Sequence, residues 1–254
     1  MKLSRLVVLL HILFLWSGGV SAQISGGTYN VPGHYNTLAE AVNALNLQGI
    51  SGNVVINMLP GNPETAPSGG YKLGSATLNT STASNKTITI RGNGNMITAQ
   101  QCTGCAASTL RGAFFIMGTD YVTIDSLNIK DNSSNTTTNT RMNWGYALVK
   151  LDASDGCQNV TIQKCTITLS LAQTNTLGAG IYSGNHLVAS TSALAPSIVA
   201  GTNSNNQFIN NVITARKGIL INGYNAPTAS RPALFDQNNT ISGNELNFGV
   251  NAAN

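Results

Sequence analysis

The sequence has few charged and few aromatic residues. Asp, Glu, Lys and Arg make up 9% of the 254 residues, and Phe, Trp and Tyr make up 6%. The 13 basic residues exceed the 9 acidic ones by four, which is not the strong basic excess of a nucleic-acid-binding or membrane-surface protein. The protein surface must therefore rely on neutral hydrogen-bonding groups, and Gly, Asn, Thr and Ser are abundant, as in many all-β repeat proteins.

Long hydrophobic runs are missing beyond the N-terminus, where residues 1–22 are predicted to form a signal peptide. Lys2 and Arg5 precede an apolar run over residues 6–16, and small residues follow up to Ala22. This order is typical of a secretory signal peptide, and the run is shorter than the roughly 20 apolar residues of a membrane-spanning helix. We therefore predict cleavage after Ala22 and a secreted or cell-surface protein with no membrane span, which keeps 11 basic and 9 acidic residues.

Cysteine is also scarce, with four residues after the predicted cleavage site. In an exported protein the local pairs Cys102–Cys105 and Cys157–Cys165 are candidate disulfides. Two unpaired structural thiols are an alternative. A four-thiolate zinc site is less favoured because seven residues separate the second pair, and a redox Cys-x-x-Cys lacks the thioredoxin-like pattern around it. We therefore predict no metal site at these cysteines.

What the sequence does contain is a repeat of about 30 to 40 residues. Its first phrase is a glycine followed by an apolar strand, and it occurs at Gly112, Gly145, Gly180, Gly218 and Gly249. Its second phrase is an apolar residue followed by inward-facing positions three and five residues later, and it begins at Ile124, Ile162, Phe208 and Ile241, with an incomplete copy at Ile88. Both phrases alternate with the period of a strand, and turn-forming residues separate them.

One such unit cannot bury its apolar side alone, so the copies must stack into a solenoid. We predict an all-β, right-handed parallel β-helix with coils over residues 61–254. A cap is predicted over residues 23–60, where the capping box that begins at Thr37 starts a short amphipathic helix and a strand follows from Val54. No capping element follows Phe248, so we predict an uncapped C-terminal end and a fragment of a longer solenoid.

Asparagines at positions 93, 211 and 244 fall at similar places in the second phrase. One interpretation is a ladder of buried amide side chains that bond from coil to coil. The other is that these asparagines only form turns.

The cap and coil phrases resemble a known superfamily. Residues 34–45 followed by 49–56 look like the cap and first strand of pectate-lyase-like right-handed β-helices. Residues 120–129 and 159–167 are similar to coil phrases of large β-helix surface proteins of Bacteroidetes-type bacteria. The resemblance implies the fold. It does not imply one activity, because lyases, hydrolases, esterases and adhesins share these phrases.

The candidate catalytic residues are few. Lyases of the superfamily use stacked carboxylates for Ca²⁺ with a basic residue, and hydrolases use paired aspartates, so carboxylates should align on adjacent coils. The repeat alignment instead places Gln163 opposite Asp125. Asp152 and Asp155, beside Lys150, are the best local acid–base or Ca²⁺ candidates, and turn formation is the competing interpretation. No cofactor is otherwise predicted.

The candidate ligand-binding residues are aromatic. The repeat alignment places Phe114 and Tyr182 on one outer sheet, two coils apart, where their rings could stack on sugar rings. Trp144, near the loop 133–140, is a third candidate, and structural roles compete in each case. That loop and the insertion 185–206 are where a solenoid would carry specificity.

We therefore expect an exported β-helix that functions in adhesion or glycan contact, without evidence of catalysis. Its partner would be a polysaccharide or a cell-surface glycan and not a nucleic acid. The alternatives are a polysaccharide lyase or glycoside hydrolase with catalytic residues in loops or beyond Asn254, and a structural stalk.

Overall fold

The chain forms a right-handed parallel β-helix of about five turns. A computed structural model describes residues 22–106, 109–224 and 232–248. The predicted signal peptide up to residue 21 and the last repeat glycine, Gly249, lie outside the described residues. None of the helices in these described ranges is long and apolar enough to cross a membrane.

Each full coil contributes one strand to each of three parallel sheets. The first sheet contains β1 (Gly27–Val31), β2 (Val54–Met58), β5 (Ile88–Arg91), β8 (Val122–Asp125), β11 (Thr161–Gln163), β14 (Gln207–Ile209) and β17 (Thr240–Ser242). The second contains β4 (Tyr71–Leu73), β7 (Gly112–Met117), β10 (Trp144–Lys150), β13 (Ala179–Leu187) and β16 (Ile219–Asn222). The third contains β3 (Glu64–Thr65), β6 (Met96–Thr98), β9 (Asn128–Lys130), β12 (Thr166–Thr168), β15 (Val212–Ala215) and β18 (Glu245–Phe248).

The predicted N-terminal helix is present as α1 (Leu38–Gln48). The Thr37 side chain accepts a hydrogen bond from the Glu40 backbone N–H at 3.2 Å, which caps the first turn. Gly49 ends the helix with a φ of 66°, which glycine adopts without a steric penalty. The apolar face of α1 is buried, and the helix packs against β4 and a second short helix, α2 (Ala76–Thr82).

The second phrase of the repeat sets the register of the first and third sheets as predicted. Ile124, Ile162, Phe208 and Ile241 pair in one column, and Ile129, Ile167, Ile213 and Leu246 pair in another. Up to Phe208 and Ile213 both columns are buried in the core between the three sheets, because an apolar side chain at the same position of each coil buries its neighbours.

The repeat glycines are required by close approach between sheets. A Cβ on Gly145 would lie 2.7 Å from the Ile167 side chain, and a Cβ on Gly218 would lie 2.7 Å from Leu246. Gly180 faces Ile213 in the same way. Core side chains of the third sheet therefore occupy the space that a side chain on these strands would need.

The predicted alignment of Gly112 with Gly145 is wrong by one residue. Gly112 pairs with Trp144, and Phe114 pairs with Tyr146. Gly112 has a different steric reason, since a Cβ there would lie 2.7 Å from the Phe115 ring. As a consequence Phe114 points into the main core, where it is fully buried, and Phe115 takes the outward position.

The asparagine ladder is present at two of the three predicted positions, with Asn211 fully buried and Asn244 half-buried. Asn211 Oδ1 accepts from the Cys165 backbone N–H at 3.0 Å, and Asn244 Oδ1 accepts from the Asn211 N–H at 2.9 Å. Asn93 does bond to the preceding coil, through Met58 O at 2.7 Å, but it is exposed, so its prediction as a buried rung is wrong. Asn95 is the buried asparagine of that coil.

Candidate functional site

The outer face of the second sheet is covered by other residues. The sequence analysis required it to be exposed. Trp144 and Tyr182 are fully buried, and their rings stack with centroids 4.6 Å apart at an interplanar angle of 9°. Leu110 and Val188, from two distant segments, pack against this outer cluster. The prediction of exposed rings at Phe114, Trp144 and Tyr182 is therefore wrong, and a sugar cannot stack on them in this conformation.

Polar groups in the outer cluster are satisfied internally. The Trp144 indole N–H donates to Leu177 O at 2.8 Å. His186 Nε2 lies 2.9 Å from the Tyr182 hydroxyl, and His186 Nδ1 lies 2.8 Å from Leu187 O. Burial lowers the pKa of His186, which favours the neutral ring. These hydrogen bonds hold the outer cluster together where it covers the second sheet.

Lys150, Asp152 and Asp155 do not form one acid–base group. Lys150 is buried, its amine donates to Gly201 O, and burial lowers its pKa. Asp152 is exposed and accepts from the Ser154 N–H and hydroxyl, each at 2.7 Å, and these bonds lower its pKa. The hydrogen bonds of Asp152 to Ser154 are those of a turn, which was the alternative to a catalytic role.

Asp155 is bridged to Asp152 in this turn, and its charge also acts on a carboxylate that the sequence analysis did not propose as a site residue, Asp120. Burial raises the pKa of Asp155 to about 6 and that of Asp120 to about 7, and the charge of Asp155 contributes to the latter shift. Asp155 Oδ2 accepts from Asn79 Nδ2 at 2.8 Å, and Asp120 Oδ1 accepts from the Gln158 N–H at 2.7 Å. Two carboxyls with pKa values near neutrality can exchange protons at ordinary pH.

The four cysteines divide into one disulfide and two thiols. Cys102 and Cys105 are bonded, with Cα atoms 5.8 Å apart. Cys157 and Cys165 are free and buried, so the candidate disulfide between them is not formed. Burial raises the pKa of both thiols, that of Cys165 to about 11. In the described ranges, His, Cys, Asp and Glu form no group of three that could hold a metal ion.

An open cavity lies elsewhere, where β9 and β12 end at the third sheet. It has a volume of about 460 Å³. Nine of its ten lining residues are polar, including two cations and one carboxylate, although carbon atoms form most of the surface that faces the cavity. The ten are Lys130, Asp131, Asn132, Ser133, Asn135, Thr136, Arg141, Thr168, Leu169 and Ser170. We call it the third-sheet groove. The Thr- and Asn-rich loop that the sequence analysis singled out forms one of its walls.

Asp131 holds this loop in place. Its Oδ1 accepts from the Asn132 N–H at 2.8 Å and from Asn135 Nδ2 at 3.0 Å, while its Oδ2 accepts from the Met142 N–H at 3.0 Å. Asn135 also bonds to the preceding coil, where its Oδ1 accepts from the Cys102 N–H at 2.9 Å. Burial raises the pKa of Asp131. These hydrogen bonds fix the conformation of the loop, so the wall that it forms is present before a ligand binds.

The cations of the groove differ in freedom. Lys130 ends β9, pairs in register with Thr168 of the next coil, and is exposed. Arg141 is half-buried, and its Nη1 donates to Ala172 O at 2.8 Å. Arg141 is thus positioned by the neighbouring coil, whereas the Lys130 ammonium is available to a ligand.

No protein-family model matches this chain, and no curated protein or solved structure matches it either. The fold is therefore established by its own geometry, and its function must be argued from the groove and the carboxyl pair.

Proposed function

We propose that this protein is an exported β-helix that binds a glycan in the third-sheet groove, in an adhesive or contact role. The observation that carries the proposal is the groove itself, which is open and preformed and combines hydroxyl and amide groups with a larger share of carbon surface. Such groups suit the hydroxyls of a sugar, and a volume of about 460 Å³ falls in the range of small-ligand sites. The signal-peptide pattern and the resemblance to pectate-lyase-like and surface β-helices support this proposal.

Two cations beside one carboxylate favour a glycan that carries negative charge. The Asp131 carboxylate already accepts three hydrogen bonds from neighbouring residues, so little of its hydrogen-bonding capacity remains for a ligand. Lys130 and Arg141 then leave the groove positively charged at its mouth. Carboxylate or sulfate groups would pair with these cations, while Ser133, Thr136 and Ser170 donate to sugar oxygens.

The test is binding of the protein to a glycan array that contains neutral and acidic polysaccharides, followed by titration of the best ligand. Lys130→Ala should weaken binding about 5- to 20-fold, because it removes a charge-assisted contact, and the effect should shrink at high salt. Arg91→Ala removes an exposed cation one coil away on the first sheet and is the matched control. Equal affinities of the two variants would refute the groove as the site, and absence of any glycan binding would favour the stalk.

A second candidate function is hydrolysis or lysis of a polysaccharide, which the raised pKa values of Asp120 and Asp155 favour. A carboxyl with a pKa of about 7 is still protonated in part at neutral pH and can serve as a general acid. Its ionised neighbour could serve as base. Incubation with acidic and neutral polysaccharides would release reducing or unsaturated ends, and Asp120→Asn or Asp155→Asn would abolish the release. Release that persists in both variants would exclude this pair.

A further inference from the structure

A second cavity lies over the outer face of the second sheet, where β4 pairs with β7. It has a volume of about 300 Å³, at the lower end of the range of small-ligand sites. It is lined by Gly69, Lys72, Thr109, Leu110, Phe115, Val188 and Ala189. The Lys72 ammonium and the Thr109 hydroxyl are the only polar side-chain groups in this set, and carbon forms slightly more than half of the surface that faces the cavity. The cavity therefore offers a sugar few hydrogen bonds.

The floor of this cavity belongs to the outer cluster of the second sheet. Phe115 is 1% exposed, and its ring lies edge-on to the Trp144 ring with centroids 6.0 Å apart. Leu110 and Val188 pack against the same cluster and form the sides. A ligand that enters the cavity would therefore lie against apolar side chains that are already packed.

The two side walls are held by hydrogen bonds behind them. The buried Arg111 donates from Nη1 to Thr109 O at 2.6 Å, which fixes the first wall. The Ser190 N–H donates to Leu187 O at 3.2 Å, which turns the chain at Val188 in the second wall. The shape of the cavity is thus present before a ligand binds.

Lys72 places one positive charge at the rim. It pairs in register with Phe115, so both side chains leave the same outer face of neighbouring strands. Lys72 is exposed, and a Cβ on Gly69 would lie 3.4 Å from its Nζ, so the ammonium lies beside Gly69. Among the residues that the structure describes, this ammonium has no hydrogen-bond or ion-pair partner.

We infer that this cavity binds a small aromatic carboxylate, with its ring against Leu110, Phe115 and Val188 and its carboxylate on the Lys72 ammonium. An unpaired ammonium beside carbon surface favours a ligand with one negative charge and one apolar group. A charge-assisted hydrogen bond and the burial of apolar surface then act on the same molecule. The cavity shares no lining residue with the third-sheet groove, so it can be occupied whether or not a glycan binds there.

The probe is cinnamate, titrated into the protein without its predicted signal peptide. Calorimetry measures the affinity, and Trp144 fluorescence reports the location, because Trp144 is the only tryptophan after residue 22 and touches the Phe115 floor. We expect saturable binding with a dissociation constant below about 2 mM and a change in Trp144 emission. Cinnamyl alcohol keeps the ring and lacks the charge, so it should bind at least about fivefold more weakly.

Substitution of Lys72 separates the charge from the shape of the cavity. Lys72→Gln should weaken cinnamate binding at least about fivefold and abolish the preference for cinnamate over the alcohol, whereas Lys72→Arg should retain both. Lys164→Gln removes an exposed lysine from another coil and is the matched control, with wild-type affinity expected.

Four results would overturn the inference. Equal affinity for cinnamate and cinnamyl alcohol would show that the ammonium does not select the ligand, and unchanged affinity in Lys72→Gln would show the same. Cinnamate binding without a change in Trp144 emission would place the ligand elsewhere. The fourth result is the absence of saturable binding at millimolar cinnamate.

Discussion

Replacement of Asn211 by alanine tests the asparagine ladder most directly. Asn211 is fully buried, and its side chain accepts from the Cys165 N–H at 3.0 Å and donates to Ile162 O at 2.9 Å. Its Nδ2 also donates to Asn244 Oδ1, which keeps a second donor in the Asn211 backbone N–H. Asn211→Ala therefore leaves the buried Cys165 N–H without its partner and removes the side-chain bond to Ile162 O.

An orphaned buried N–H costs about 1–3 kcal/mol of stability, so Asn211→Ala should lower the free energy of unfolding by about 1–3 kcal/mol. Equilibrium unfolding in urea, followed by circular dichroism, measures this loss. Asn43→Ala is the control, because Asn43 is exposed on α1 and the same substitution in a helix is neutral or slightly stabilising. A loss below about 1 kcal/mol for Asn211→Ala would refute the ladder as a stabilising element.

Asn211→Asp separates the acceptor from the donor role. The carboxylate still accepts from the Cys165 N–H, but its second oxygen would face Ile162 O and Asn244 Oδ1 without a proton. Burial and this repulsion raise the pKa of the new carboxyl in the folded state above its unfolded value, so the folded state binds more protons. The variant should approach wild-type stability at low pH and lose it as the pH rises. A variant as stable as wild type at pH 7 would contradict the assigned bonds.

Three further predictions concern other parts of the fold. Burial raises the pKa of Asp120 from its ordinary value of 3.8 to about 7 in the folded state, so its contribution to stability is present below about pH 4 and is lost as the pH rises to 7. Asp120→Asn keeps the acceptor for the Gln158 N–H and should flatten this slope, measured by thermal unfolding against pH. Gly180→Ala would place a Cβ against Ile213 and should cost about 1–3 kcal/mol in urea unfolding, and no loss would mean that the close approach is not real. Thr37→Ala removes the cap of α1 and should cost about 1 kcal/mol in the same assay, which Thr37→Ser should restore.

The coil phrases predicted the register of the first and third sheets because their inward residues form unbroken columns. A strand that slipped by one residue would turn Ile162 or Ile167 outward and expose it. The sequence pattern gave no such constraint on the register of β7 against β10 in the second sheet. Gly112 and Gly145 look alike in sequence, yet one avoids the Phe115 ring and the other avoids Ile167, so aligning the glycines exchanged Phe114 for Phe115.

The cover of the second sheet could not be predicted for a different reason. Leu110 and Val188 lie in connecting segments with no periodic pattern, and their packing on Trp144 and Tyr182 depends on contacts between distant coils. The Asp120 and Asp155 pair was missed because the residues were compared only at equivalent repeat positions. Asp155 is held by Asn79, which lies on α2 and outside any repeat phrase.

The floor of the third-sheet groove could be predicted from the sequence, and its loop wall could not. Its floor follows the repeat, since Lys130 and Thr168 occupy equivalent positions of successive coils. Its wall is a loop whose shape depends on Asp131 and Asn135, and one deletion in that loop would leave the register of β9 and β12 unchanged. The shape of the groove can therefore change through the loop alone while the buried columns and the ladder preserve the fold, which is why the sequence predicts the fold and does not predict a ligand.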